Sequence, residues 1–265
     1  MARGLVLRAW SDLSTTGQYS ILHRNGCASL IPIPETSAYR RPCFLRPDCL
    51  LSPCTLRPLS FYMVRYTPVL HNDPRLDKGF YTGYWAPRGR LPRALSRGDL
   101  LLFVAGLVHE DYARRADKPG KLVQRGFAGI YFVGGIVVED IVDVGETGWR
   151  RALEKWPRLV YSPHYWRRGD TPVAVIGSGF VLRPPLPASA PGTLREPSEA
   201  AKEILGNDAA WGLARSRFRR SRLIPMALEL VERAAQRHGS RIVAAGQYVC
   251  SAKCLSGRRR GSVIP

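Results

Sequence analysis

In the segment His71-Asn72-Asp73-Pro74 an imidazole and a carboxylate stand two residues apart, so that on an extended chain both point the same way. At that spacing the carboxylate either orients the ring and raises its basicity or shares a bound ligand with it, the chemistry of general acid–base work or of ligand binding. Phe80, Tyr81, Tyr84 and Trp85 follow closely, in a stretch that Pro and Gly keep out of regular structure. Flat rings beside a polar loop are the lining of a base or small-molecule pocket. Asp73 also has a plainer use, because an Asp before Pro folds its carboxylate onto nearby backbone N–H groups.

A second island, Tyr161-Ser162-Pro163-His164-Tyr165-Trp166, repeats the pattern of imidazole, proline and rings, then adds Arg167 and Arg168. Tyr165 and Trp166 are suited to stacking on bases and the two guanidinium groups to holding phosphate; capping the core is the alternative for the rings. Asp99 joins the candidate nucleotide-binding set with Tyr81, Tyr84 and Trp85, although an Asp after Gly98 also serves a turn by accepting backbone N–H groups. Further along, Arg215, Arg217, Arg219, Arg220 and Arg222 form the densest charge run, and Arg215, Arg219 and Arg220 are candidate phosphate contacts. On a helix these residues spread over more than one face, so a solvated surface is the competing reading. The loop from Asp12 to Gly17 is a weaker phosphate candidate, without a P-loop pattern. No G-x-S-x-G, Walker, Rossmann or His-Glu-x-x-His motif is present.

The formal net charge is +19, and residues 183–265 alone carry fifteen Lys+Arg against six Asp+Glu. Such a surface concentrates polyanions, although a GC-rich coding bias raises arginine content as well. Cys43, Cys49 and Cys54, and Cys250 and Cys254, are not spaced as zinc knuckles, so no metal site is expected from them. Nothing here names a cofactor. No apolar run reaches the roughly 20 residues that span a bilayer, and the start reads as a first strand rather than a signal segment. Together these features predict a cytoplasmic protein with no membrane partner, and buried free thiols rather than disulfides.

The elements that would position these residues follow from pattern. Residues 3–10 and 18–24 alternate as strands, and Asn25-Gly26 predicts a hairpin that returns Cys27–Ile33 onto Tyr19–Arg24. Residues 36–66 read as a long excursion with at most one short helix. Asp99–Val108 is an unbroken apolar strand; Gly126–Val144 is either a hairpin or one strand bent at Gly134-Gly135. Thr147 is set to cap a helix over Gly148–Trp156, stopped by Pro157. A strand over Val173–Gly177 and a Pro-rich wrap over 183–197 precede three helices: Ser198–Leu205 closing on Gly206, one near Asp208–Arg220, and one starting at Pro225. Arg241–Val249 closes the pattern as a strand. The expected class is α+β, a mixed, mostly antiparallel, partly closed (PUA-like) sheet with C-terminal helices. Its parts are a β-rich domain over 1–185 and a basic helical extension over 186–265.

Taken together, the segments resemble the nucleotide modification associated domain 3 family. The likeness runs through the opening strand and Gly17, Asn25-Gly26, Ile31-Pro32-Ile33-Pro34-Glu35, His71-Asn72-Asp73-Pro74 and Gly98-Asp99-Leu100-Leu101-Leu102-Phe103 with Gly106-Leu107. A fainter echo is Ser162-Pro163-His164 with Asp170 and the strand into Gly177, so the likeness spans residues 4–185. It implies a nucleotide or modified-base context, with DNA the favoured nucleic acid, and no particular reaction. Two functions remain open. One is an accessory protein of nucleic-acid modification that binds a nucleotide or flipped base. The other is an enzyme on such a substrate, with His71 or His164 as acid–base and Asp73 orienting it.

Overall fold

The computed structural model describes residues 2–10, 19–35, 42–63, 67–83, 90–113, 119–167, 169–219, 223–246 and 249–251. Of the candidate residues above, Tyr84, Trp85, Arg168, Arg220 and Arg222 lie outside the described residues, as does the loop from Asp12 to Gly17. The strands are β1 (Arg3–Arg8), β2 (Ser20–Leu22), β3 (Ala28–Ser29), β4 (Ile33–Pro34), β5 (Leu50–Leu51), β6 (Leu70–His71), β7 (Phe80–Gly83), β8 (Leu100–His109), β9 (Ala128–Asp143), β10 (Val173–Pro187), β11 (Leu223–Pro225), β12 (Arg241–Ala244) and β13 (Val249–Cys250). The helices are α1 (Arg90–Arg93), α2 (Pro119–Gln124), α3 (Val144–Lys155), α4 (Pro163–Trp166), α5 (Glu199–Leu205), α6 (Asn207–Arg215) and α7 (Leu228–Arg237).

The main sheet runs β11-β1-β8-β9-β10-β12, with β2 also on β8, β3 on β2 and β7 on β10. Its pairs are antiparallel except for β1 and β2 against β8. The protein is therefore mixed α+β, with a curled, mostly antiparallel sheet and helices. The apolar run in β8 is explained by its two buried faces. Leu100, Leu102 and Val104 enter one core, while Leu101, Phe103 and Ala105 enter another. The first core is closed by α5, α6 and α7 through Ala201, Ile204, Leu213, Val231 and Ala235. The division drawn at 185/186 falls inside β10, and β11 returns to pair Arg3 with Pro225.

Several local expectations hold. The Asn25-Gly26 turn forms the hairpin, with Ile21 opposite Ser29 and Gly26 at φ 72°. Ser198 caps α5 by accepting from Ala201 N, and Gly206 ends that helix. Of the two readings of 126–144, the single bent strand is found: β9 passes through Gly134-Gly135, and β8 shifts register opposite at Phe103/Val104. A Cβ on Gly134 would lie 2.2 Å from Phe180 O, so the bend needs glycine there.

Others are corrected. The helix after β9 starts at Val144 rather than Gly148, because the Asp143 side chain accepts from Gly145 N and Gly148 (φ 73°) sits within it as a kink. β10 continues past Gly177 to Pro187; Pro184 and Pro185 fall in the register shift between Val181 and Leu186, where no ladder donor is needed. Pro225 ends a strand instead of starting a helix, and α7 begins at Leu228.

The thiol expectation fails too. Cys27 pairs with Cys54 and Cys43 with Cys250, and Cys49 is also disulfide-bonded. The 42–63 excursion has only a small core of its own, Ile31, Leu50, Leu59 and Leu70. The cross-links tie it to the first hairpin and to β13, which pairs with β5. Linear spacing says nothing of such pairings, since each joins segments brought together only by the sheet.

Two stability measurements follow. Cys27→Ser/Cys54→Ser opens a link spanning 27 residues and should lower unfolding free energy in urea by about 3 kcal/mol. Gly79 holds φ 64° and ψ 43° at the entry to β7, and a Cβ there would sit 2.0 Å from Gly177 O. Gly79→Ala should therefore cost about 2 kcal/mol or more; a neutral result would contradict this packing.

Candidate functional site

The chain doubles back between residues 70 and 83. β6 pairs with β4, placing His71 opposite Ile33; a 3₁₀ turn over Leu76–Lys78 ends on Gly79, and β7 returns along β10. That turn is braced from inside by Arg75, whose Nε and guanidinium donate to the two Asp77 oxygens at 2.7 Å each, with both side chains buried. The return brings Thr82 against Asp73.

Thr82 N lies 3.1 and 3.0 Å from the two Asp73 oxygens, and the Thr82 hydroxyl donates to Oδ2 as well. A hydroxyl has one proton to give, so Thr82 Oγ1 accepts from Ser162 Oγ at 2.9 Å. Ser162 Oγ in turn accepts from His164 N at 3.2 Å, which caps α4. One hydrogen-bonded chain thus joins the start of α4, the sheet and the Asp73 loop. Through it two segments ninety-odd positions apart meet: the His71 and His164 rings stand 4.8 Å apart between centroids, edge to face at 84°.

Each imidazole is oriented by its own carboxylate. His71 Nδ1 is 3.3 Å from Glu35 Oε2, and His164 Nδ1 is 2.9 Å from Asp170 Oδ2. Arg167 links the two carboxylates, reaching Glu35 Oε2 and, at 3.2 Å, Asp170 Oδ2. Asp73 faces His164 Nε2 at 3.9 Å. One ligand atom from each of His71, Asp73 and His164 lies within 4.8 Å of the others, a grouping able to hold a metal ion.

Burial dominates the electrostatics. It pushes the Asp73 carboxyl up to about 7, against the opposing pull of His71, the Thr82 hydrogen bonds and Arg75. It also pushes the His164 imidazole down to about 4, helped by the charge of His71 and opposed by Asp170. The access side is His71, whose side chain is 20% exposed against 5% for His164 and 1% for Asp73. None of the described cavities is lined by these three residues. The cavity nearest in sequence lies behind Pro74, between Trp10, Leu30, Leu76, Asp77 and Arg183.

His71, Asp73, His164 and Arg167 are therefore brought together, and Arg167 meets carboxylates there. Tyr165 and Trp166, next after His164 in α4, are half-buried: Tyr165 packs on Trp149, and Trp166 packs near Phe44 and donates from Nε1 to Val160 O. Tyr81 faces the other side of β7, against Phe103 in the second core. Asp99 accepts from Arg3 N, Ser96 N and the Arg3 guanidinium, the turn-closing alternative read from Gly98-Asp99. Arg215 and Arg219 are exposed at and beyond the end of α6, a helix that covers the first core.

Glu35, Thr82, Ser162 and Asp170 complete the site and had no assigned role in the sequence reading. Glu35, Ser162 and Asp170 stand inside the motifs quoted above and Thr82 follows Tyr81, yet only the fold reveals what each holds. No known protein family, curated protein or solved structure matches the chain.

The two shifts have opposite linkage. The Asp73 carboxyl is raised, so its contribution favours the fold at low pH and is lost as pH rises from 3.8 to about 7. The His164 imidazole is lowered, so its contribution is complete above 6.5 and is lost as pH falls from 6.5 to about 4. In chelator-treated wild-type protein the two largely cancel across that window. Asp73→Asn removes one of them: relative to wild type it should gain stability toward neutral pH and lose it toward pH about 4. Urea midpoints across the window read this directly, and the reverse slope would refute the assignment.

Proposed function

We propose that the protein binds a nucleotide or modified base, in the setting of nucleic-acid modification, at the His71 side of this cluster. The observation that carries the reading is the meeting of two distant imidazole-bearing turns over one buried carboxylate. The half-buried Tyr165 and Trp166 follow His164 directly in the chain, and the chain as a whole is strongly basic. The nucleotide modification associated domain 3 resemblance supports the same substrate class and rests on the quoted motifs. With it come the finer proposals of a PUA-like sheet and of DNA as the favoured nucleic acid. In this reading the exposed Arg215 and Arg219 contribute long-range attraction for phosphates, while His71 offers the edge that meets the ligand.

The cytoplasm is the compartment proposed with this function. Cys27–Cys54 and Cys43–Cys250 set its condition, a thiol poise that leaves these links oxidised.

A second reading is favoured by the near-neutral Asp73 carboxyl. A group raised to about 7 beside two imidazoles is poised for proton transfer, which makes an enzyme on the same class of substrate the alternative.

Calorimetry with mononucleotides, modified nucleosides and short DNA separates the two. For a binder, His71→Ala should weaken affinity about tenfold or more. For an enzyme, that variant should retain affinity and lose turnover. Absence of both binding and turnover across the panel would sink the nucleotide proposal.

A further inference from the structure

We propose that His71, Asp73 and His164 together bind one zinc ion, through two imidazole nitrogens and one carboxylate oxygen. This goes beyond the nucleotide reading and does not rest on it.

The donor set comes first. Two imidazoles and one carboxylate suit zinc and iron(II), whereas magnesium and calcium favour all-oxygen shells. The second point is the support behind the donors. Metal-binding histidines donate their remote ring N–H to a carboxylate, which fixes the tautomer and aims the other nitrogen at the ion. Both rings here have such a carboxylate at Nδ1, Glu35 for His71 and Asp170 for His164, and Arg167 fastens the two carboxylates to each other. A ring whose Nδ1 is protonated presents Nε2 as a lone pair, and His164 Nε2 is the atom that faces Asp73 at 3.9 Å.

Asp73 itself retains capacity. A carboxylate has about four lone-pair positions; Oδ2, which faces His164, accepts the Thr82 hydroxyl and shares its N–H with Oδ1, so the open position is on Oδ1. The remaining position, on a carboxylate that is buried almost completely, gains most from a divalent charge.

Dimensions are compatible. Metal bonds of 2.0–2.2 Å imply donor separations of about 3.3 Å in a tetrahedron, so donors within 4.8 Å of one another need to close by about 1.5 Å at most. The part-exposed His71 is the member able to swing. Three protein donors also leave a position for water or for an oxygen of a ligand arriving from the His71 side.

The test uses tag-free full-length protein, stripped with a chelator and titrated with Zn(II) alone, in competition with a chromophoric chelator and with no nucleotide present. One equivalent per chain is expected. His71→Ala should weaken binding by about 100-fold or more, and Glu35→Gln, which removes the carboxylate behind the ring together with its ion pair to Arg167, by about 10- to 100-fold. His238→Ala, a surface histidine beside Glu203 at the end of α7, should bind as wild type. Should a variant fail to fold, the visible spectrum of Co(II)-loaded wild type still decides, because four- or five-coordinate bands are expected and an octahedral aquo-like spectrum is not. Less than a stoichiometric equivalent, equal binding by folded His71→Ala, loss in His238→Ala, or an aquo-like cobalt spectrum would each overturn the proposal. Failure of nucleotide binding would leave all of these readings intact.

Discussion

A carboxylate taken almost wholly out of water must be met by hydrogen bonds, and at Asp73 that requirement organises the neighbourhood. The Thr82 N–H and hydroxyl answer it, which forces the loop after β6 against the returning strand β7. Since Thr82 gives its only hydroxyl proton to Asp73, it takes one from Ser162, and Ser162 caps α4. The position of His164 is thus set by the need to satisfy Asp73, and the His71–His164 contact is its consequence.

Rigidity under the cluster comes from elements that are themselves over-determined. β7 is registered on β10, and Gly79 lets the chain pass against Gly177, with Gly177 N donating to Gly79 O at 2.9 Å. The buried Arg75–Asp77 pair closes the turn between Asp73 and β7, and the Arg75 guanidinium lies over the Tyr161 ring at 5.4 Å. On the other side, Trp149 in α3 donates to Asp170 O, tying the carboxylate behind His164 to the helix that follows β9. Bracing of this kind fixes the aim of Asp73 and His164 and leaves the part-exposed His71 as the member that adjusts to a ligand.

The same crowding separates the cluster from the residues expected to join it. Strand alternation sends Tyr81 to the opposite side of β7 from Thr82, and Asp99 lies under Arg3 at the beginning of β8. Arg167 is the instructive case. A guanidinium next to rings in a loop reads as a phosphate contact, yet here it bridges two carboxylates, which are absent from its sequence neighbourhood except for Asp170.

Local chemistry determined a good deal. Asn25-Gly26 specified a hairpin because Gly26 takes the positive φ that the turn requires; Ser198 and Gly206 bounded a helix because one accepts an orphan N–H and the other permits its exit conformation. The apolar run of β8 announced a strand with two buried faces, and the twin islands of His, Pro and aromatic residues marked where polar chemistry would gather. What only the tertiary structure decided depends on partners far along the chain. Glu35 behind His71, Thr82 on Asp73, the Cys27–Cys54 and Cys43–Cys250 links and the continuation of β10 through its prolines all arise where the curled sheet brings remote segments together. Hydrogen bonds and disulfides form across a few ångströms of space, whereas caps, turns and alternation act within a few residues of chain, and sequence pattern records only the latter.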